Sequence, residues 1–103
     1  SDALVFMNPP YSRPLLRPFV EKLAEHDNGV ALLKNQVDNL LFQEVIFPKA
    51  KSMLFMRHRI KFIQPDGTTG SPFFGSVLVA FGYEASRRLH GCNIQGILVE
   101  LNR

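Results

Sequence analysis

Four consecutive residues, Asn8-Pro9-Pro10-Tyr11, combine groups that can hold a planar amine. They directly follow a short apolar run at residues 3–7. Two prolines fix φ and remove two N–H donors, which leaves backbone carbonyls free to act as acceptors. The Asn8 side-chain oxygen adds another acceptor, and the Tyr11 ring adds a flat face. We therefore expect this segment to accept hydrogen bonds from an amino group whose ring stacks on the tyrosine.

Adenine carries an exocyclic amino group that suits such a site, provided that the base has been flipped out of its helix. The competing interpretation of the NPPY segment is a plain turn between a strand and a helix, where proline is common.

Composition and charge limit what kind of protein this is. The chain has 103 residues, enough for one small domain, and its net charge of +3 permits contact with a polyanion. No apolar run is long enough for a membrane helix. Cys92 is the single cysteine, so we expect no disulfide and a cytoplasmic location. His26, His58 and His90 lack the spacing of metal ligands and are expected to be structural.

Alternating patterns predict the elements that must position the NPPY segment. Apolar runs predict strands at 3–7, 30–33, 52–57, 76–82 and 96–101, and helical spacing predicts helices over 15–23, 37–46 and 84–90. Ser12 is placed to cap the first helix and Gly29 to end it, while Pro48 is expected to end the second. Strands that alternate with helices in this way predict an α/β fold with parallel strands. NPPY would then lie at the carboxyl end of a strand, where open α/β sheets bind ligands.

At this point the sequence resembles a known family. NPPY matches the (D/N/S)-P-P-(Y/F/W) signature of the amino-methyltransferases that depend on S-adenosylmethionine. The order NPPYS, helix, VALLKN, helix, FPKAKSMLFMRHRIKF and GSPFFGSVLVAFG is similar to the C-terminal half of phage-type DNA N6-adenine methyltransferases, over about residues 3–82. The resemblance implies a partial Rossmann-like methyltransferase sheet, mostly parallel with an antiparallel strand. It also implies that residues 1–103 form a single partial domain, the target-base half.

The resemblance assigns roles to the four residues of the motif. The Asn8 side chain and the Pro9 carbonyl would accept hydrogen bonds from the target amino group, which directs the nitrogen lone pair toward the methyl sulfonium. Pro10 completes this catalytic motif, and Tyr11 would stack on the extruded base. NPPY also occurs in methylases that act on cytosine N4, on RNA adenines and on protein glutamine, while the rest of the chain favours DNA adenine.

The resemblance also suggests which residues contact DNA. Ser12 and Arg13 would border the base pocket, where Arg13 can meet a phosphate. Arg57, Arg59 and Lys61 are candidates for contacts with the DNA backbone. Such cations also occur on a solvated strand edge without any partner, and this interpretation stays open for the three residues of the RHRIK segment.

The chain departs from the family pattern where the cofactor should bind. The Gly-rich loop and the acidic residue that hold S-adenosylmethionine lie upstream of NPPY in the family, and only seven residues precede it here. The implied cofactor is therefore S-adenosylmethionine, with no cofactor-binding residue identified in this chain. Lys34 in the LLKNQ segment also replaces the LLP-type ending expected there. The expectation is a methyltransferase portion that is inactive without the missing cofactor half.

Two hypotheses about partners follow. In the enzyme hypothesis the substrate is double-stranded DNA, and residues 3–7 form an open apolar edge strand. That edge would pair with a second copy of the chain, with another polypeptide, or with the rest of a longer protein. In the alternative, the chain is a non-catalytic remnant that serves as a DNA- or protein-binding module.

Overall fold

The computed structural model describes residues 3–9, 13–57 and 75–102. In chain order the elements are β1 (Val5–Met7), α1 (Arg13–His26), β2 (Gly29–Lys34), a π-helical segment (Phe42–Ile46) that continues into α2 (Phe47–Lys49), β3 (Ser52–Met56), β4 (Ser76–Phe81), α3 (Tyr83–His90) and β5 (Gly96–Glu100). Each strand and helix expected from the sequence pattern is present, with bounds that differ by a few residues. The α/β class is therefore confirmed.

The sheet is mixed rather than mostly parallel. Its strand order is β1-β2-β4-β3-β5, and only β1 and β2 pair in parallel. The other three pairings are antiparallel, so the expectation of a mostly parallel sheet is wrong. The physical reason is that the consecutive strands β3 and β4 pair directly as antiparallel neighbours, an arrangement that does not require the crossover helix of a parallel pair.

The pairings nevertheless give the sheet two distinct ends. β1, β2 and β3 run in one direction, while β4 and β5 run in the other. We name the end where β1, β2 and β3 terminate the Asn8 end, because Asn8 directly follows β1. The opposite end, where β4 runs into α3 and where β5 terminates, is the α3 end.

Helices cover both faces of the sheet and bury two apolar clusters. On one face α1 and the π-helical segment pack on the sheet through Val20, Leu23, Phe42, Ile46, Met53 and Val79. On the other face α3 packs through Ala85 and Leu89 against Val30, Leu54, Leu78 and Ala80. β4 lies in the centre of the sheet and all six of its residues are buried. Each fully buried large apolar side chain contributes about 1.5–3 kcal/mol, so these two layers fix the sheet.

The first helix ends differently from the prediction. α1 runs through Pro18 to His26, and Asp27 then adopts a left-handed conformation with φ 57°. The backbone N–H of Asp27 donates to the carbonyl of Leu23 over 3.1 Å, which closes the helix. Gly29 is already the first residue of β2, so its expected role as the helix end is wrong. Aspartate tolerates left-handed backbone better than most residues do, and this permits the earlier ending.

The second helical region also extends past its expected end. The Asn39 side-chain oxygen accepts from the backbone N–H of Phe42 over 3.1 Å, as a helix-capping residue does. The π-helical turn then leads into α2, which contains Pro48, and the chain becomes extended at Ala50. The prediction that Pro48 ends this helix is wrong, because proline is tolerated in the first turn of a helical segment. Among residues 3–9, 13–57 and 75–102, no helix has the length and apolarity needed to cross a bilayer.

Candidate functional site

The Asn8 end brings together several polar residues that follow strands. Asn8 and Pro9 come after β1, Asn35 comes after β2, and Arg57 comes after β3. Because these three strands run in the same direction, their carboxyl ends meet along one end of the sheet. This is the kind of position at which the sequence places its candidate site.

β1 holds the first two motif residues in place. Its residues Val5 and Met7 pack against the cluster under α1, and the backbone N–H of Val5 donates to the Asn28 carbonyl over 3.0 Å. At the end of the strand Pro9 is buried and Asn8 is exposed. The Asn8 side chain has no hydrogen-bond partner within the described part of the chain. Its amide is therefore available to a ligand, on a backbone that the buried Pro9 anchors.

Several predicted site residues lie outside the described residues. They are Pro10, Tyr11, Ser12, Arg59 and Lys61. Arg13 begins α1, and its side chain is likewise not described. The structure thus brings Asn8, Pro9, the Arg13 backbone and Arg57 to one part of the fold, and the roles of the other residues stay predictions.

Arg57 is an exposed cation at the Asn8 end. Its backbone N–H donates to the Gln95 carbonyl over 2.9 Å, which fixes the start of the segment that follows β3. β3 is the third strand from β1 in the sheet order, so about 14 Å separates the two strands at the usual spacing. This separation is small enough for one DNA duplex to reach both the end of β1 and the end of β3. The placement is therefore compatible with contact between Arg57 and a DNA phosphate.

Asn35 is a polar residue at this end that sequence reasoning did not single out. Its side-chain Oδ1 is buried and accepts no hydrogen bond from the described residues. Its backbone N–H donates to the Gly75 carbonyl over 2.8 Å, which ties it to the start of β4. A buried acceptor without a donor costs about 1–3 kcal/mol, and such groups occur where a ligand supplies the donor. One feature of the sequence could have pointed to Asn35: it directly follows a run predicted to be a strand, within the LLKNQ segment that departs from the family pattern.

The described residues near Asn35 leave little space. A cavity of about 10 Å³ lies between the start of α1 and the end of β2, with Leu33, Lys34 and Asn39 in its lining. That volume is close to what one water molecule occupies. A base does not fit into this cavity.

The free side of β1 borders an apolar groove. In parallel pairing alternate residues direct their backbone groups to opposite sides, so Phe6 presents its N–H and C=O to the unpaired side. The Phe6 side chain is 66% exposed. The groove beside it, of about 260 Å³, is lined by Leu4, Val5, Phe6, Val30, Leu78, Arg88, Leu89, Cys92 and Ile94. This lining contains no carboxylate, so it does not fit a cofactor whose ribose hydroxyls need an acidic acceptor.

The histidines and the cysteine of the described region have structural positions. His26 Nε2 lies 2.8 Å from the Ala3 carbonyl and links α1 to the chain before β1. Cys92 is half-buried against the cluster under α3. In residues 3–9, 13–57 and 75–102, no three side chains of histidine, cysteine, aspartate or glutamate are placed to hold a metal ion.

An exposed ion pair links α1 to the π-helical segment on the same face of the sheet. The Arg17 guanidinium donates from Nη1 to Glu44 Oε1 over 2.8 Å, between α1 and the π-helical segment. The hydrogen bond to Glu44 raises the pKa of Arg17 above its ordinary value. Arg17 therefore stays charged at any pH at which the protein would be studied.

Comparisons with known proteins gave no relative: no family model matches the chain, and neither a curated protein nor a solved structure was found to be similar to it.

Proposed function

We propose that this chain is the target-base half of a DNA adenine-N6 methyltransferase, and that it needs a cofactor-binding half from another polypeptide segment. The observation that carries the proposal is the placement of an exposed Asn8 and a buried Pro9 directly after β1. α1 follows within a few residues and leads to the parallel strand β2. This is the position that the resemblance assigns to the amine-binding motif.

The chemistry of these two residues supports adenine as the target. The Asn8 Oδ1 and the Pro9 carbonyl would each accept one N–H bond from an exocyclic amino group. Both bonds hold the amino nitrogen so that its lone pair points away from the ring plane, which favours attack on an electrophile. No general base is required, because these acceptors act on orientation and charge distribution rather than by removing a proton before attack.

Part of the strand arrangement agrees with the family sheet. β1, β2 and β3 share one direction, while β4, between β2 and β3, and the edge strand β5 run in the other. The resemblance implies a sheet of parallel strands with an antiparallel one. In that sheet the strand that carries NPPY has a partner on both sides. β1 has one described partner, and its free side is where a cofactor half would pair.

Neither the cavity near Asn35 nor the groove beside β1 supplies a site for S-adenosylmethionine. The cavity near Asn35 is too small, and the groove beside β1 has no carboxylate. We therefore expect this chain alone to bind S-adenosylmethionine with a Kd weaker than about 0.1 mM, which corresponds to a binding free energy of about −5.5 kcal/mol. Calorimetric titration measures this affinity. Micromolar binding by the chain alone would contradict the need for a second half.

Recognition of the amino group can be tested without the cofactor. The probe is a short duplex in which an adenine faces an abasic site, since an unpaired base is easily extruded. The comparison duplex carries 2′-deoxynebularine at the same position, a nucleotide whose base is adenine without its amino group. We expect the adenine duplex to bind about tenfold more tightly, which corresponds to about 1.4 kcal/mol, measured by fluorescence anisotropy.

Three variants make this test specific to the motif. Asn8→Ala should reduce the preference for adenine over nebularine, because it removes one of the two acceptors and leaves the Pro9 carbonyl. Asn8→Asp should keep it, because the carboxylate still accepts and the family signature allows aspartate. Asn93→Ala, at an exposed asparagine between α3 and β5, should leave it unchanged.

The same data separate the two hypotheses of the sequence analysis. A non-catalytic DNA-binding module would bind both duplexes equally, through its cations and the phosphates alone. Equal binding, or a preference for adenine that is undiminished in the Asn8→Ala variant, would contradict the proposed function.

A further inference from the structure

The α3 end contains an open polar groove that is separate from the Asn8 end. It has a volume of about 390 Å³ and lies between α3 and the final residues of β5. Lys51, at the start of β3, forms part of its wall. This volume is within the range of small-molecule sites. Because β4 and β5 run opposite to β1, the groove lies at the carboxyl ends of these two strands.

Two cations in the groove have no anionic partner. Lys51 and Arg87 both line it, and neither takes part in an ion pair within the described residues. Lys51 is half-buried, so its charge is only partly solvated. Two cations that line the same groove and form no ion pair with the described residues attract an anion, and a dianionic phosphate matches their charge.

The other polar groups of the groove offer hydrogen bonds of both kinds. The Ser86 hydroxyl lies 2.7 Å from the hydroxyl of the fully buried Ser52, which holds it in position. His90 Nε2 lies 3.3 Å from Glu100 Oε1, so this carboxylate is held at the wall of the groove. A carboxylate in that position can accept hydrogen bonds from the hydroxyl groups of a sugar.

Tyr83 gives the groove an aromatic face. It is the first residue of α3, it lines the groove, and it is 75% exposed. An exposed tyrosine is the face on which a planar heterocycle stacks. The fold therefore places cations, a carboxylate and an aromatic ring around one small-molecule volume.

We propose that this groove binds a small phosphomonoester that carries a sugar and a planar ring, such as a 5′-mononucleotide. Lys51 and Arg87 bind the phosphate, Glu100 accepts from the sugar hydroxyls, and the ring lies on Tyr83. The site is independent of the proposed function at the Asn8 end, because it shares no residue with that end.

The test uses the full chain and calorimetric titrations with AMP, inorganic phosphate and adenosine. We expect AMP to bind with a Kd on the order of 0.1 mM at low ionic strength, and more weakly as salt is added. Inorganic phosphate and adenosine should each bind at least about tenfold more weakly than AMP, because each lacks one part of the contact (a tenfold change is 1.4 kcal/mol).

The last turn of α3 supplies a matched pair of variants. Arg87 and Arg88 are adjacent and have the same relation to the helix dipole, but Arg88 lines the apolar groove beside β1 instead. Arg87→Gln should weaken AMP binding about tenfold, and Arg88→Gln by less than about twofold. Tyr83→Leu should weaken AMP binding but not phosphate binding. Circular dichroism of each variant shows whether the fold is retained.

Three outcomes would overturn the proposal. The first is no saturation with AMP below about 10 mM, an affinity too weak for a built site. The second is an equal loss in the Arg87 and Arg88 variants, which would indicate a general attraction to positive charge. The third is equal affinity for AMP and inorganic phosphate, which would exclude a contact between the ring and Tyr83.

Discussion

The two ends of the sheet differ in how their polar side chains are satisfied. At the α3 end the buried Ser52 hydroxyl is bonded to Ser86, and the Asn102 amide donates to two backbone carbonyls over 2.8 Å each. At the Asn8 end the buried Asn35 oxygen has no described donor, and the Asn8 amide is exposed without a partner. Side-chain hydrogen bonds thus tie separate elements together around the groove at the α3 end, whereas at the Asn8 end the Asn8 side chain and the Asn35 oxygen receive none from the described residues.

This difference indicates where stability and function are located. Polar groups that are satisfied within the chain add to stability, while a buried acceptor without a donor lowers it. Binding sites often retain groups that lower the stability of the fold, because function requires those groups. Substitutions at the α3 end should therefore destabilise the fold, and removal of the acceptor at the Asn8 end should stabilise it.

The largest effect is expected at Gly82, where β4 turns into α3. Gly82 has φ 97°, and a Cβ at this position would overlap the carbonyl oxygen of Asp27. Gly82→Ala should lower the free energy of unfolding by about 3 kcal/mol, because it combines backbone strain with a clash against backbone that cannot move away. Urea unfolding followed by circular dichroism measures this, since the chain has no tryptophan.

The control for that prediction is the glycine at the other end of the same helix. A Cβ on Gly91 would meet the Arg87 carbonyl oxygen at 3.7 Å, an ordinary contact, and its φ is −91°. Gly91→Ala should change the free energy of unfolding by no more than about 0.5 kcal/mol. Similar losses of unfolding free energy in both variants would show that the expected clash between a Cβ at position 82 and the Asp27 carbonyl does not cause the loss.

A smaller loss is expected at the hydroxyl pair of the α3 end. Ser52→Ala should lower the free energy of unfolding by about 1–1.5 kcal/mol, because it leaves the half-buried Ser86 hydroxyl without its partner. The double variant Ser52→Ala/Ser86→Ala should lose less than the sum of the single losses. A double-mutant cycle measures the coupling, and strictly additive losses would mean that the hydrogen bond contributes nothing.

The sequence predicted the elements of the fold better than their arrangement. Short apolar runs gave the strands correctly. Burial explains this for β2, β3 and β4, whereas β1 and β5 are apolar runs whose residues are half-buried or exposed. The pairing of β4 with both β2 and β3 was missed, since it depends on which strands meet in space. The helix ends assigned to Gly29 and Pro48 were also wrong, because Asp27 and the π-helical turn give the backbone other solutions.

The two candidate sites were unequally visible in the sequence. The candidate site at Asn8 was predicted because its proposed acceptors are consecutive in the NPPY segment. The groove at the α3 end was missed because Lys51, Tyr83, Arg87 and Glu100 are far apart along the chain and form no motif. Asn35 was missed for a similar reason, since only the folded structure shows that its oxygen is buried.

A smaller effect, of opposite sign, is expected when leucine replaces Asn35. Asn35→Leu should raise the free energy of unfolding by about 1 kcal/mol, because an apolar side chain of similar size replaces a buried acceptor that has no donor. Asn35→Asp should lower it by about 2 kcal/mol or more, because it places a charge in the same position. Urea unfolding at neutral pH distinguishes the two variants.

The Asn35 variants also test whether the acceptor belongs to the proposed base site. If its oxygen receives a donor from the flipped base, Asn35→Leu should weaken binding of the duplex with an unpaired adenine while it stabilises the protein. A gain in stability without any loss of adenine preference would leave Asn8 and Pro9 as the acceptors and separate Asn35 from the site. A loss of stability would mean that the Asn35 oxygen is already satisfied in the folded chain, and the contrast between the two ends would then not hold.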